Sequence, residues 1–431
     1  MDLRRNLTDS TGVRPIPLSR RRGLLFPAFA WSGFTSAFAS IIVGSQLQSG
    51  LGTFDALFAV ILGNWILFVY SAAIGFAAGR WGLSSQLMLE AVFGRWGALV
   101  PGLLLGCLVT GWFAFHVMLT AAILSGALRL PSGGSVVLIC IVGVLFATPV
   151  IARISRGFNV TAIAYPAMIV FAGIVIARYL APKSLDLLDG TIGGTLPFGT
   201  GVCIAFGTFV VSGTMTGDIV RYCRTGNEAV QAMAFGFLLS NLPFLILGVL
   251  VAAARVSLTD LFATHNALSF LLLALVIVSN WVTCDACLSN AGVTLKSAFP
   301  GLPWVAASAA IALLGILLAA NNGVGDASRW TLFLSATVPP CGGVIVADYY
   351  VLRVRMGFAR KRVAPVNIAA LIAMGAGIAV AFVGLQYDPG VIAPLIGAPA
   401  AGALYLLLSR VAPGRLGTEV GGTSLGAEAL D

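Results

Sequence analysis

Three short stretches carry most of the chemistry this chain can offer. From Gly207 to Asp218 the sequence reads Gly-Thr-Phe-Val-Val-Ser-Gly-Thr-Met-Thr-Gly-Asp, glycines and hydroxyls set in a run otherwise apolar enough to cross a bilayer. Such a segment favours its own interruption, because glycine in a helix interior costs about 1 kcal/mol relative to alanine. In lipid, the freed backbone groups must find protein partners or line a watery cavity, so an interrupted span reads as a binding segment. Trp112 and His116 lie four residues apart, on one face of any helix that holds them. An indole there can stack on a flat heterocycle. An imidazole can hydrogen-bond that ring's edge or take a proton near neutral pH. The bland alternatives are a packing tryptophan and a histidine satisfied by a neighbour. The third stretch, Ser279 to Asn290, is unusually polar for a span. Ser279 and Thr283 are one turn apart and can present oxygens to a hard monovalent cation, while Asp285 is a carboxylate at membrane depth, either functional or a structural hydrogen-bonding group.

Other reactive residues argue against enzyme chemistry. Cys284 and Cys287 form a Cys-x-x-Cys, but no βαβ pattern surrounds it, so they read as small residues one turn apart on a packed helix. The only histidines are His116 and His265, and no phosphate-binding loop is present, so neither catalysis nor ATP-driven pumping is expected. Asp218 and Arg221 are spaced as an i,i+3 ion pair, and Asp348 before Tyr349 and Tyr350 reads as a membrane-interface anchor.

The elements that must position these residues are membrane spans. The 431 residues are 58% hydrophobic and 10% charged, against roughly 25% charged in soluble domains; mean hydropathy is +0.98. Spanning helices need about 20 apolar residues. Twelve such runs are expected, near 24–46, 54–78, 98–127, 134–152, 158–180, 198–218, 231–254, 266–293, 302–320, 330–351, 365–385 and 390–409. With both termini on one side, that side holds 20 of the 25 basic residues, and the other only Arg129, Arg178, Lys183, Arg255 and Arg329. The positive-inside rule then places both termini in the cytoplasm, with the chain multi-pass in the cytoplasmic membrane. This distribution also accounts for the net charge of +9 without nucleic acid. Arginines 20–22 precede an apolar run that continues past any cleavage-like site, so they read as a helix-end anchor rather than an export signal.

The first run has its own weak point, where Gly33 sits among Ser32, Thr35 and Ser36. Breaks in the first and sixth runs, five spans apart, point to an inverted repeat with a site at mid-depth. The expected organisation is a cytoplasmic tail at 1–23, a ten-helix repeat core at 24–352, two added spans within 353–410 and a second tail at 411–431. The longest outer loop carries Asp186 and Asp189.

Several motifs occur in a familiar order: Gly44 to Leu51 with Gly63-Asn64; Phe93-Gly94; Gly111-Trp112-Phe113; Gly207-Thr208-Phe209 with Gly213 to Asp218 and Arg221; Trp281 to Asp285; and Pro339-Pro340 followed by Ala347-Asp348-Tyr349-Tyr350. Over about residues 25 to 352 the chain resembles the nucleobase:cation symporter-1 family, and within it the bacterial cytosine permeases. The resemblance implies an all-α, twelve-helix LeuT-like fold, a 5+5 inverted repeat with discontinuous helices 1 and 6, working by alternating access. It implies a substrate sandwiched by Trp112 and Phe209, with Gly207 and Thr208 at its polar edge; His116 and Asp285 are further substrate candidates on their residue types alone. It also implies a cation site of Gly33, Ser36, Ser279, Val282 and Thr283. No cofactor is implied beyond Na+ or H+ as coupling ion, and no partner beyond a small flat solute and the lipid bilayer; no obligate protein partner is expected. The family pattern departs in places. Val282 stands where the cytosine permeases carry a hydroxyl, which leaves proton coupling open through His116 or Asp285. Val109 replaces a glutamine, and His116 replaces a small residue. The polar edge is therefore rebuilt, so purines, hydroxymethylpyrimidine, other heterocycles or an amino acid are alternatives to cytosine, and a non-transporting sensor is a more distant one.

Overall fold

The computed structural model describes residues 14–130, 134–153, 161–183, 194–258, 260–263, 266–299, 301–323, 325–353, 361–411 and 418–420. Asp186, Asp189 and His265 lie outside the described residues. Among the described residues, each of the twelve apolar runs contains helix. Eight helices are long and apolar enough to cross a bilayer, and the bent pair Leu25–Thr35 and Phe38–Leu51 makes a ninth. Apolar helices of 10–17 residues, Ser135–Ile151, Phe198–Gly207 and Trp304–Ala320, occupy the fourth, sixth and ninth runs. The spans are numbered below in that order, first to twelfth. Among the described residues, the strands form one two-stranded ribbon, pairing Lys361–Val363 with Thr418–Val420, so part of the expected C-terminal tail has regular structure.

Both expected interruptions are present, but glycine acts differently from the expectation. The first span bends by 51° at Ser36 (φ −75°, ψ 51°) and Ala37 (extended), not at Gly33. Gly33 stays helical; a Cβ there would sit 1.6 Å from the Thr161 carbonyl oxygen, so its hydrogen lets the first span press on the chain entering the fifth. The break instead falls just after Ser36, whose Oγ donates to the Ser32 carbonyl at 2.6 Å alongside its own N–H at 3.1 Å. The sixth span stops at Gly207 and resumes at Val210 after Phe209 (φ −131°, ψ 16°). A Cβ on Gly207 would lie 2.0 Å from the Thr331 carbonyl oxygen of the tenth span. The first and seventh spans cross at reciprocal glycines, Gly44 on the Leu245 carbonyl and Gly248 on the Ile41 carbonyl. Small residues at such crossings permit close backbone approach.

The cytoplasmic-side expectations change in detail. Within the N-terminal segment, Ile16 N–H donates to the Gly82 carbonyl and Arg22 N–H to that of Tyr222. Arg21 Nη1 donates to the Gly79 carbonyl at 2.8 Å, satisfying an open group at the end of the second span. Asp218 and Arg221 form no ion pair. The Asp218 carboxylate accepts the Ser85 N–H at 3.1 Å, at the start of helix Ser85–Phe93, and Arg221 Nη2 donates to Tyr222 Oη. A helix N-terminus has open N–H groups and favours negative charge, which explains the preference.

Asp348 is no interface anchor either; it is fully buried. It pairs with Arg353 and accepts from Tyr405 Oη at 2.6 Å. Arg353 Nη2 donates to the Ala91 carbonyl, and Asn367 Nδ2 to that of Val92 at 2.7 Å. This cluster docks the twelfth span onto the tenth, and both the tenth and the start of the eleventh onto helix Ser85–Phe93. Tyr405→Phe removes one hydrogen bond to a buried charge and is expected to destabilise the protein by about 1–3 kcal/mol. Thermal unfolding of the purified variant checks this: an unchanged midpoint would show that the contact contributes nothing.

Candidate functional site

A closed cavity lies where the two breaks meet the third and eighth spans. The first span lines it with Phe34, Ala37, Ala39, Ser40 and Val43, and the third with Trp112 and His116. Thr208, Phe209 and Ser212 come from the sixth span, Thr283 and Cys287 from the eighth. The cavity measures about 10 Å³, the room one water needs. A heterocycle enters only if the walls part. The Phe34 and Phe209 rings close one side, edge to face with centroids 5.7 Å apart.

Of the expected substrate residues, Trp112, His116, Thr208 and Phe209 line this space. Gly207 does not; it sits against the tenth span, as above. Asp285 does not either. It is buried on the eighth span between Thr283 and Cys287, and two residues along a helix is about 200° around it, away from the face those two present.

Polar partners fix the site residues from behind. His116 Nδ1 meets Asn280 Oδ1 at 3.1 Å. Thr208 Oγ1 donates to the Ala205 carbonyl and accepts from Asn241 Nδ2. Asn241 Nδ2 also reaches Asn64 Oδ1 at 2.7 Å, and Asn241 Oδ1 accepts from Ser40 Oγ at 2.7 Å. Sequence reasoning did not single out Asn241, Asn280, Ser40, Ser212 or Phe34. The signal was available for Asn280 and Asn241, amides in the middle of apolar spans, which are expensive unless satisfied.

The expected cation residues divide. Ser279 Oγ donates to the Ser36 carbonyl at 2.7 Å and accepts the Phe38 N–H at 3.2 Å, spanning both lips of the first break. Thr283 Oγ1 lies 3.5 Å from the Phe34 carbonyl. The Ser36 hydroxyl is spent on the Ser32 carbonyl, with Ser240 Oγ of the seventh span 2.9 Å from it. Val282 is buried and offers no side-chain oxygen, and Gly33 packs on Thr161. What converges is the Phe34 and Ser36 carbonyls with the Ser279 and Thr283 hydroxyls, oxygens suited to a monovalent cation. Among the described residues, no group of three or more His, Cys, Asp or Glu gathers as a metal site.

Comparison with known proteins gives this geometry a context. Residues 15–407 match the family model described as permease for cytosine/purines, uracil, thiamine, allantoin. The chain is 33% identical over 408 residues to the cytosine permease of Escherichia coli (strain K12), covering 92% of this chain and 93% of that one. It is 24% identical over 361 residues to the hydantoin permease of Microbacterium maritypicum, covering 76% and 73%. In fold it is similar to Mhp1, a nucleobase-cation-symport-1 family transporter solved in a closed conformation with bromovinylhydantoin bound, at TM-score 0.77 and 21% identity over 93% and 94% of the two chains. A Na+-coupled sialic acid symporter in a substrate-bound outward-open state is similar at TM-score 0.62 and 12% identity, covering 91% of each chain.

Ser279→Ala strips the Ser36 carbonyl and the Phe38 N–H of a shared buried partner. A loss of about 1–3 kcal/mol is expected for each group left unpaired, read as a lowered thermal midpoint of the purified protein. A variant as stable as wild type would mean that the break does not depend on this residue.

Proposed function

The chain belongs to the family of permeases for cytosine and purines, uracil, thiamine and allantoin, and on that premise we propose that it imports a nucleobase or related flat heterocycle across the cytoplasmic membrane, coupled to Na+ or H+. It is a multi-pass membrane transporter and not an enzyme. The observation that carries the substrate class is the presence of Trp112 and Phe209 at one cavity where the first and sixth spans are broken. Two aromatic faces suit a planar ring better than an amino acid. Aromatic pairs contribute about 0.5–1.5 kcal/mol beyond burial, so stacking with a few hydrogen bonds is compatible with micromolar binding, about −8 kcal/mol.

In this reading Trp112 and Phe209 sandwich the ring, while His116 and Thr208 orient its edge. The oxygens of Phe34, Ser36, Ser279 and Thr283 hold the cation. Gly207 acts by admitting the tenth span close to the site, and Asp285 by structure rather than contact. Substrate and cation both favour the state in which the broken rods close on them, and alternating access follows from that shared preference. The basic-residue asymmetry supports cytoplasmic termini. Residues 24–352 act as the transport core, with the last two spans as additions. Val109 and His116 rebuild the polar edge relative to the cytosine permeases, which favours a panel of bases, hydantoins, ureides and pyrimidine precursors over cytosine alone.

Trp112→Ala is expected to abolish saturable uptake of the preferred base in cells or vesicles while the protein still inserts. Undiminished uptake would remove the stacking role. Thr283→Ala is expected to raise the Na+ concentration for half-maximal uptake by at least about tenfold, the equivalent of one hydrogen bond to a charge. Wild-type uptake that ignores Na+ yet collapses with a protonophore would assign coupling to H+ instead.

A further inference from the structure

We infer that Asn280 and Thr120 hold His116 in its Nδ1–H tautomer, so that the cavity offers Nε2 as a hydrogen-bond acceptor and selects heterocycles that present a ring N–H to it. The substrate half of this rests on the proposed function; the tautomer does not.

The argument is a chain of proton assignments. Thr120 Oγ1 lies 2.8 Å from the His116 carbonyl, one turn back on the third span, and a carbonyl only accepts, so the hydroxyl proton points there. The same oxygen lies 2.9 Å from the Asn280 side chain of the eighth span. With its proton spent, Thr120 can only accept, so the amide NH2 faces it. The Asn280 amide oxygen is then the atom 3.1 Å from His116 Nδ1. An amide oxygen cannot donate, so Nδ1 carries the hydrogen, and Nε2 of the neutral ring keeps its lone pair. Flipping the amide reverses the tautomer, but it takes the Thr120 proton from the His116 carbonyl and forfeits that bond. All three residues are buried, and no other protein hydrogen bond of the His116 ring is present among the described residues.

His116 lines the cavity while its Nδ1 is held by the eighth span. An acceptor at His116 matches a ring N–H, as on the lactam edge shared by oxo-bases, hydantoins and cyclic ureides, while Trp112 on the same helix face covers the ring and leaves that edge to His116. A site built to bond a substrate N–H rejects the analogue that lacks it, because its own polar group is left unpaired.

The chain has two histidines, so a His265→Gln protein labelled with 15N-histidine reports His116 alone. Solid-state NMR in lipid is expected to show Nδ1 protonated and Nε2 bare. In Asn280→Leu the ring is expected to revert to the Nε2–H form that imidazole prefers in water; Thr120→Val, isosteric and uncharged, is expected to move it the same way should Asn280→Leu not fold. A bare Nδ1 in the unmodified site overturns the inference.

Uptake of a transported heterocycle and its N-methyl isomers supplies the second reading. Wild type is expected to lose at least about tenfold in KM for one isomer, kcat changing less. That penalty is expected to fall below about threefold in Asn280→Leu and to return in Asn280→Asp, which still accepts from Nδ1–H. Equal discrimination by wild type and Asn280→Leu overturns the selectivity claim. Failure of every heterocycle to enter, with Nδ1–H intact by NMR, overturns the proposed function and leaves the tautomer assignment standing.

Discussion

A broken helix inside a bilayer has to hand its open N–H and C=O groups to something other than water, and the rest of this structure is arranged around meeting that demand at the first span. Each unsatisfied group at that depth costs several kcal/mol. Ser279 serves both lips of the break, accepting from Phe38 N–H and donating to the Ser36 carbonyl. On the other side, Ser240 donates to the Ser32 carbonyl at 2.8 Å, and Thr35 Oγ1 to that of Gly236 at 2.7 Å. The bend is thus pinned from the seventh and eighth spans together. With the bend pinned, Phe34, Ala37 and Ser40 turn inward to make one wall of the cavity.

The side-chain bonds around that cavity sort the spans into two bodies. Asn241 ties the first, second, sixth and seventh spans through Ser40, Asn64 and Thr208, and Asn64 Nδ2 adds the Phe237 carbonyl of the seventh at 2.8 Å. The third and eighth spans are tied by His116, Thr120 and Asn280, with Cys284 Sγ on the Phe113 carbonyl. Among the described residues, the side-chain bonds shown between the two bodies at this depth are those of Ser279 to the first break, with Thr283 Oγ1, bonded to the Ser279 carbonyl at 3.0 Å, approaching the Phe34 carbonyl at 3.5 Å. Multiple bonds within a body and few between bodies is what relative motion about a site requires, since only the few need to be exchanged when the walls part.

Much of this architecture was legible in the chain because lipid imposes a coarse, repetitive grammar. Apolar length marked all twelve helical runs, and dense hydroxyls marked the two that break. The exact place of the first break was not legible. Gly33 looked like the weak point, but its hydrogen serves a contact with Thr161, more than a hundred residues away in sequence, and no local pattern reports that. The same reason explains the charges. Asp218 and Arg221 have ion-pair spacing, yet the helix start at Ser85 takes the carboxylate. Asp348 beside two tyrosines looked like an interface anchor, yet Arg353 and Tyr405 draw it inside. Trp112 and His116 were singled out by residue type and four-residue spacing, and Thr208 and Phe209 through the family resemblance; all four line the cavity. Asn241 and Asn280 were not singled out because an amide's role is set by which neighbour faces each of its ends.

If the converging oxygens hold the coupling ion as proposed, their placement next to the aromatic wall gives coupling a short physical route. The carbonyl that Thr283 approaches belongs to Phe34, and the ring of that same residue meets Phe209 edge to face at 5.7 Å. Drawing the Phe34 carbonyl toward a cation would act on the residue whose ring closes the cavity against Phe209. Moving Phe209 to admit a planar substrate would act back through Phe34 on the oxygens that hold the cation. Linkage requires such influence to be equal in both directions. On the proposed function, one residue, with its backbone at the candidate cation site and its side chain at the cavity, would carry it without a chain of intermediaries.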